Sequence, residues 1–381
     1  MRIAVGAEGR QALRAALPPD LYQTFIATCA APPRSLSVCS KDLDDLFSSD
    51  LPVPGWEGRT VVTSPMTLRQ VMLTGIEDLV RFGKEFTHYE HGPTGKVTAY
   101  FADGSRAVGD ILIGADGAGS RVREQSRPSM DVHGCGLAIA YGKADLENVP
   151  AAKLHQGLTV VNDRRGISLF TQVMNFPWSR PGELKSHVGG IQAALIDTWP
   201  GLRHDDTTDH LMWGLMGPES LIPGAADIAD IARDWHPALR TVLSRSDPAT
   251  VRVRPAVNAG ALRPRHPTGV TLLGDACHFQ VPDVGIGANA TLRAAVELCG
   301  RLSEAAAQGS SIAEAVAAYE NRLRDSSSVT YRSHMRCLTR AARLRRPLIG
   351  SMHRTRLRVA DQVPGLRRRV VGGYAWLDGL V

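Results

Sequence analysis

The segment Thr271-Leu-Leu-Gly-Asp-Ala-Cys-His-Phe-Gln-Val-Pro-Asp-Val-Gly-Ile-Gly-Ala-Asn289 says more about the fold than any other part of the 381-residue chain. It predicts a short apolar strand at 270–273, a Gly-Asp pair at the end of the strand, and a loop rich in proline and glycine. A helix rich in alanine and leucine is predicted from Asn289 to about Ala307. A lone Gly-Asp after a strand could be incidental, but G-D-A-x-H-x-x-x-P-x-x-G-x-G-x-N fixes too many positions for that. We therefore expect a binding loop between a strand and a helix.

The fixed positions of this segment each have a chemical use. Gly274 lets a ligand approach the backbone closely because it has no Cβ. Asp275 presents a carboxylate that can accept hydrogen bonds from sugar-like hydroxyls. Gly285 and Gly287 allow a tight loop that turns unpaired backbone N–H groups and a helix N-terminus towards the ligand.

A second motif lies about 160 residues earlier in the chain. Asp110-Ile-Leu-Ile-Gly-Ala-Asp-Gly-Ala-Gly-Ser-Arg-Val-Arg123 predicts an apolar strand that ends in Asp-Gly, followed by a polar turn. By itself this stretch would be only a strand, a turn and a helix cap at Ser120. Two such motifs in one chain are harder to dismiss as incidental than either one alone.

Together the two motifs resemble those of the FAD-dependent aromatic monooxygenases of the p-hydroxybenzoate hydroxylase type, the class A flavoprotein monooxygenases. The resemblance covers most of the chain to about residue 310, although only the two Asp-Gly motifs are specific. In that family the first motif holds the ribityl chain of FAD through its aspartate, and the following helix points its positive end at the flavin ring. The second motif, D-G-x-x-S-x-V-R, lies near the FAD. A weaker match, Leu68-Arg-Gln-Val-Met-Leu73, falls where the family places an arginine that reaches the FAD.

The resemblance therefore implies a set of cofactor-binding residues drawn from these motifs. They are Arg69, Asp116, Gly117, Gly274, Asp275, Pro282, Gly285, Gly287, Ala288 and Asn289.

The resemblance also implies the chemistry. NADPH or NADH reduces FAD, O2 adds to give a flavin C4a-hydroperoxide, and an aromatic or polycyclic small molecule is hydroxylated or epoxidised. The cofactor carries the reaction, so no catalytic side chain and no metal site is expected.

One part of the family pattern does not occur in this sequence. Family members carry a βαβ unit with G-x-G-x-x-G and a terminal glutamate, which receives the FAD pyrophosphate and the adenosine ribose. We infer that roughly 40 residues of this kind are absent. The absent strand would leave its sheet neighbours without ladder partners. Three alternatives stay open: a gene start set too late, a non-functional remnant, or a true short form. The short form would have no flavin chemistry and would act as a cofactor-free cyclase or isomerase, or as an accessory binding protein.

We therefore expect an α/β fold with an incomplete Rossmann-like FAD-binding domain, in which helices flank a parallel sheet. This domain is interleaved with a mostly antiparallel β-sheet substrate domain and is followed by C-terminal helices. The FAD-binding domain is predicted at 1–128 and 250–310, the substrate domain at 129–249, and an Arg-rich helical segment at 311–381.

The predicted substrate sheet supplies the candidates for substrate contact. The alternation of Ser168, Phe170, Gln172 and Met174 with the residues between them indicates a strand with two unlike faces. In the family one face of this sheet roofs the substrate cavity. The lining candidates are Phe170, Gln172, Met174, Trp213 and Met216. Gln172 is the polar group of most interest among them.

Composition limits the class of protein and the cellular compartment that we expect. The hydrophobic content of 43% supports a packed core, and no apolar run approaches the roughly 18 residues that span a bilayer. The first residues contain no apolar stretch suited to a secretory signal, so none is expected. The six cysteines show no C-x-x-C or metal-ligand spacing, so reduced thiols in the cytoplasm are expected.

The net charge of +6 is unevenly placed. Residues 331–369 hold twelve arginines and one acid, a local charge of +11 (12 − 1), which leaves −5 (6 − 11) for the rest. A basic tail can bind nucleic acid or an anionic membrane. This segment lacks the interleaved aromatic residues of a nucleic-acid platform. We expect a partly amphipathic helix that packs on the core, no nucleic-acid partner, and at most an attraction of NADPH phosphates.

Overall fold

The computed structural model describes residues 2–31, 33–51, 60–130, 132–150, 152–155, 157–176, 209–222, 224–226, 228–259, 262–263, 268–278, 287–325, 347–363, 366 and 370. The strands are β1 (Ile3–Val5), β2 (Ser35–Ser40), β3 (Asp45–Asp50), β4 (Val61–Thr63), β5 (Phe86–His91), β6 (Val97–Phe101), β7 (Arg106–Gly109), β8 (Leu112–Gly114), β9 (Val132–Asp145), β10 (Leu158–Asn162), β11 (Ser168–Met174), β12 (His210–Pro218), β13 (Arg252–Ala259) and β14 (Val270–Leu272). The helices are α1 (Ala7–Ala16), α2 (Pro19–Ala27), α3 (Pro65–Leu73), α4 (Arg121–Ser126), α5 (Ile228–Ile231), α6 (Pro237–Ser244), α7 (Asp275–His278), α8 (Gly287–Gln308), α9 (312–325) and α10 (Pro347–Gln362).

The largest sheet has seven strands in the order β13-β9-β12-β11-β10-β2-β3. All neighbours are antiparallel except β10 and β2, which run parallel. The mostly antiparallel substrate sheet that the sequence predicts is therefore present. The predicted segment 129–249 supplies only β9 to β12, because β2, β3 and β13 join the sheet from outside it.

The two faces of this sheet bury different clusters. On what we call the outer face, Leu169 and Trp213 pack with Trp235 and the apolar side of α5 and α6. The opposite side, called the inner face, carries Phe170, Gln172 and Met174 of β11. The alternation in β11 confirms the two unlike faces that the sequence predicts, since Leu169 and Met174 belong to separate core clusters.

The parallel sheet is small in the described part of the chain. Strand β14 pairs with β8 in parallel, and no further strand joins them there. Ile113 in the middle of β8 is 37% exposed, although strands of parallel sheets are normally covered on both faces. Within the described residues the parallel sheet consists of these two strands. The three-stranded antiparallel unit β5-β6-β7 precedes β8 in the chain.

A buried ion pair fastens the elements around β14. The side chain of Arg127, just after α4, lies 2.8 Å from the carboxylate of Glu320 on α9, and both side chains are buried to about nine-tenths. The other carboxylate oxygen of Glu320 accepts a hydrogen bond from the hydroxyl of Thr271 on β14. The hydroxyl of Tyr319 donates to the Leu272 carbonyl of the same strand.

The last helix packs on the inner face beside β2 and β3. Leu357 and Ala360 of α10 are buried in one cluster with the apolar residues of these strands, and the Asp361 carboxylate accepts from the Ser48 backbone N–H at 2.9 Å. Arg356 is exposed. The described part of α10 is thus the amphipathic helix on the core that its composition predicts; residues 331–346 of the Arg-rich segment lie outside the described residues.

No helix of the described chain has the length and apolar character needed to cross a membrane.

Candidate functional site

Both Asp-Gly motifs lie at the same edge of the parallel sheet. Val270 of β14 pairs with Leu112 of β8, and Leu272 pairs with Gly114, so the two strands end side by side. Gly114 has no room for a side chain, because an ideal Cβ there would lie 2.7 Å from Cβ of Val122. The carboxyl ends of neighbouring parallel strands are where open α/β sheets bind ligands.

Arg123 joins the two motif turns directly. Its side chain is 4% exposed. One terminal nitrogen donates to the carbonyl of Ala118 in the first turn at 2.7 Å, and the other donates to the carbonyl of Ala276 in α7 at 3.2 Å. The guanidinium therefore holds together two turns that are 153 residues apart.

The two aspartates of these motifs are used differently. The carboxylate of Asp116 accepts hydrogen bonds from the Ser120 hydroxyl and the Val122 backbone N–H, so it organises its own turn. The carboxylate of Asp275 forms no hydrogen bond with any described residue. Although Asp275 is exposed as a residue, partial burial of the carboxyl raises its pKa above the ordinary value. It is the carboxylate of the pair that is available to a ligand.

Backbone geometry at the two turns requires glycine. Gly117 has a φ of +80° and Gly274 a φ of +63°, in the left-handed region that side chains disfavour. An ideal Cβ on Gly274 would also lie 3.0 Å from the Thr291 methyl group in α8. Gly274 and Asp275 therefore lie against the beginning of α8.

The first turn of α8 is tied to the start of the chain through Asn289. Its side-chain oxygen accepts from the Gly6 backbone N–H at 2.9 Å, and its side-chain nitrogen donates to the Ala4 carbonyl at 3.0 Å. Gly9 of α1 permits this approach, because a Cβ there would overlap the side-chain oxygen of Asn289. Asn289 thus positions the N-terminus of α8, which begins at Gly287 and also includes Ala288.

The inner face of the sheet approaches this region through β1 and β4. Val62 of β4 belongs to the same buried cluster as Met174 and Met212, and Phe170 packs at its edge. Gln172 lies between Phe170 and Met174 on β11 and is fully buried. Phe170, Gln172 and Met174 therefore lie together on the face where the sequence places them.

The prediction that Trp213 lines the substrate side of the sheet is wrong. In β12 it pairs with Thr171, so it points to the outer face, where its indole N–H donates to the Ser246 hydroxyl at 2.7 Å. Met212, which pairs with Gln172, takes the inner position, and Met216 shares that face opposite Ser168. The parity of β12 cannot be inferred from its sequence, because its residues are apolar and buried on both sides.

The remaining predicted site residues either lie away from the two Asp-Gly turns or fall outside the described residues. Arg69 on α3 is exposed, and its guanidinium carbon lies 5.7 Å from the centre of the Phe82 ring. No contact found in the described chain joins Arg69 to either Asp-Gly turn. Pro282 and Gly285 lie outside the described residues.

Two residues of the region were missed at the sequence level. Arg2 precedes β1, and its guanidinium carbon lies 6.0 Å from the centre of the Phe170 ring. Thr60 precedes β4, and its buried hydroxyl lies near Gly6. No sequence motif marks either one; only the pairing of β1 with β4 brings them to the site.

A cleft of about 1280 Å³ lies elsewhere, between α1, α8 and α9. Its walls hold Glu8, Arg293, Glu297 and Arg322 together with small side chains. None of the predicted site residues lines it, so it is separate from the two Asp-Gly turns.

The chain matches no family model. It is similar to the dual O-methyltransferase/FAD-dependent monooxygenase elcB of Phaeosphaeria nodorum, with 28% identity over 340 residues that cover 78% of this chain. It is also similar to the FAD-dependent urate hydroxylase of Mycolicibacterium vanbaalenii, with 24% identity over 324 residues that cover 82% of this chain and 72% of the relative. Among solved structures, Klebsiella pneumoniae HpxO complexed with FAD and uric acid has a TM-score of 0.71 at 20% identity, covering 100% of this chain and 87% of that one.

The match covers only 35% of the length of elcB and 36% of that of a second fungal relative, CTB3 of Cercospora beticola. The chain is similar in sequence to FAD-dependent monooxygenases, and it shares the fold of solved structures such as that of HpxO.

Proposed function

We propose that the chain is an FAD-dependent monooxygenase that hydroxylates or epoxidises an aromatic or polycyclic small molecule. NADPH or NADH is the reductant and O2 the oxygen source. The observation that carries the proposal is the convergence of two Asp-Gly turns, with the free carboxylate of Asp275 against the first turn of α8. The names of the relatives support it, since they include FAD-dependent monooxygenases and a urate hydroxylase.

The residues at this edge fit the flavin half of FAD. Asp275 offers an unpaired carboxylate to the ribityl hydroxyls, and Gly274 leaves the backbone open to close approach. Helix α8 has 22 residues, so its N-terminus at Gly287 carries a partial positive charge that favours an anionic ring. No G-x-G-x-x-G occurs in the 381 residues, so the residues assigned here account for the flavin and ribityl parts only.

When bound, FAD supplies the redox chemistry, which is hydride acceptance and activation of O2. The chain's own contribution is to hold and shield the reactants. Arg123 fixes the two turns relative to each other, and Asn289 fixes the first turn of α8. The apolar side chains of Phe170, Met174 and Met212 cover the region from the sheet and keep water away from it.

The decisive test is an absorbance spectrum of the purified chain after incubation with FAD and desalting. Flavins in general absorb at roughly 375 and 450 nm. Bands at these wavelengths that persist through desalting would show that the chain retains the cofactor. NADPH oxidation and hydrogen peroxide release are then measured with a panel of aromatic compounds. A compound that speeds NADPH oxidation without matching peroxide release is being oxygenated. A folded protein that retains no flavin would refute the proposal and favour a scaffold without flavin chemistry.

A substitution at Asp275 links the spectrum to the site. Asp275→Asn keeps the size of the side chain but removes the charged acceptor, so FAD should bind roughly 10- to 100-fold more weakly. Asp230→Asn, an exposed aspartate on α5 whose ion pair is with Arg233, serves as the control. Equal FAD affinity in both variants would mean that Asp275 does not hold the cofactor.

A further inference from the structure

We propose that the last helix of the chain binds the surface of an anionic lipid membrane. The surface concerned, called the basic ridge, is the outward side of α10 and of the turns that follow it. It consists of Arg356, Arg358, Val359, Val363 and Leu366, all of which are exposed. This inference goes beyond the proposed function and does not depend on it.

Helix α10 is attached to the core through the side opposite the basic ridge. Leu357 and Ala360 are buried against β2 and β3, and the Asp361 carboxylate accepts a hydrogen bond from the Ser48 backbone N–H at 2.9 Å. Val370, beyond the end of the helix, packs partly on the same cluster. These contacts hold α10 on the core and fix which of its sides faces away.

The outward side of α10 carries an apolar residue in the middle and cations at the flanks. At 3.6 residues per turn, Val359 lies about 200° around the helix from the buried Leu357, and it is 48% exposed. Arg356 and Arg358 fall on either side of it. A surface helix in water normally places charged residues opposite its buried stripe. An apolar centre between two arginines suits a membrane interface, because the apolar group enters the acyl region while the guanidinium groups stay among the phosphates.

The apolar part of the basic ridge continues past the end of the helix. The Val363 N–H donates to the Ala360 carbonyl, and the Leu366 N–H donates to the Val363 carbonyl, so two tight turns follow α10. Val363 is 42% exposed and Leu366 is 37% exposed. One exposed apolar side chain needs no explanation. Three at spacings of four and three residues instead form a continuous edge along one side of the chain.

The charge of the same stretch selects an anionic surface. No ion pair of Arg356 or Arg358 is found among the described residues. Three more arginines stand at 367–369, and Asp361 is the one acid between residues 331 and 369. Each arginine close to an anionic bilayer raises the affinity roughly fivefold. A nucleic-acid backbone would use the arginines but not the apolar edge, whereas a bilayer uses both.

The test is co-sedimentation of the purified full chain with lipid vesicles, with and without added FAD. One set of vesicles is phosphatidylcholine alone, and the other contains about one-third phosphatidylglycerol. The chain should bind the anionic vesicles, bind the neutral ones far more weakly, and lose most of its binding when added salt screens the charges. Equal binding to both kinds of vesicle, or binding to neither, would overturn the inference.

One pair of double variants separates the basic ridge from the net charge of the chain. Arg356→Gln with Arg358→Gln should weaken binding to the anionic vesicles roughly 25-fold. The matched control is Arg240→Gln with Arg245→Gln, which removes two exposed arginines from α6 and its C-terminal end, on the outer face of the sheet. The control should change binding by less than about twofold. Equal weakening in both proteins would mean that net charge alone attracts the chain, and the ridge would lose its role.

A second set of variants tests the apolar edge. Val359→Ser with Leu366→Ser should weaken binding roughly 10- to 100-fold, whereas Val108→Ser, at a position on β7 that is 61% exposed, should leave it unchanged. All the substituted side chains are exposed, so each variant should melt at the temperature of the wild type. Unchanged binding of the Val359 and Leu366 variant would contradict insertion into a membrane interface.

Two further measurements identify other occupants of the basic ridge. A short DNA duplex that binds through the arginines, and equally well after the substitution of Val359 and Leu366, would assign the surface to nucleic acid. Self-association of the wild-type chain in sedimentation velocity, abolished by the same substitution, would assign it to a second copy of the chain. Either result without vesicle binding would overturn the proposal.

Discussion

Replacing Gly9 by alanine tests the junction between α1 and α8. Alanine in a helix is normally favoured over glycine by roughly 0.5–1 kcal/mol. Here the added methyl group would overlap the side-chain oxygen of Asn289 and lie 2.9 Å from Cγ1 of Val5. Overpacking costs about 1–3 kcal/mol, and displacing Asn289 loses two hydrogen bonds of about 1 kcal/mol each. Subtracting the helix gain, we expect a net loss of roughly 2–4.5 kcal/mol in the free energy of unfolding.

The control is Gly300→Ala in α8, where an ideal Cβ meets nothing within 4 Å. This change should stabilise the protein by roughly 0.5–1 kcal/mol. Both variants are measured by urea denaturation followed by circular dichroism, and their FAD retention is compared after desalting. Gly9→Ala should also retain less flavin, because Asn289 positions the first turn of α8. A Gly9→Ala protein as stable as Gly300→Ala would show that α1 and α8 are not in the close contact described.

Three further predictions concern the supports of the site. Glu320→Gln leaves the Arg127 guanidinium buried without its counter-ion, so urea denaturation should show a loss of roughly 3–5 kcal/mol; a loss below about 1 kcal/mol would contradict a buried pair. Burial alone would raise the pKa of Asp163, but hydrogen bonds from the Arg165 side chain and backbone and from the Trp235 indole outweigh it and lower the pKa below 3.8. The stability that Asp163 provides is therefore fully present well above pH 3.8 and is lost as the pH falls through the lowered pKa. Urea midpoints measured from about pH 5 down to about pH 2 should fall more steeply for the wild type than for Asp163→Asn. Gly274→Ala forces a side chain onto a φ of +63° and should reduce FAD retention in the desalting assay, and undiminished retention would count against the Gly274 turn as part of the site.

Local patterns in the sequence predict much of the site. The strand-turn-helix at 270–289 and the turn at Asp116 follow from apolar runs that end in Asp-Gly, and the two faces of β11 follow from its alternation. These features depend on residues that are neighbours in the sequence, and the hydrophobic pattern of such residues predicts local structure directly.

Long-range packing accounts for what the sequence did not show. The direction of Trp213 depends on its register with Thr171, and the flanking residues of β12 do not reveal it. The role of Asn289 as a clamp depends on Gly6, 283 residues away. Arg2 carries no motif and comes to the inner face only because β1 pairs with β4. Such roles are set by contacts that a single sequence does not encode locally.

The hydrogen bonds between Arg123 and Ala276 and between Asn289 and Gly6 can form only late in biosynthesis, because they join residues that are far apart in the chain. Because domains fold as the chain leaves the ribosome, β1 and α1 emerge well before their partner in α8, which is made only from residue 287 onwards. Throughout that interval the Gly6 N–H and the Ala4 carbonyl have no Asn289 to bind, and the Asp116 turn has no Ala276. The proposed FAD-binding edge is therefore completed late in synthesis, and a nascent chain stalled before α8 would be a natural client for chaperones.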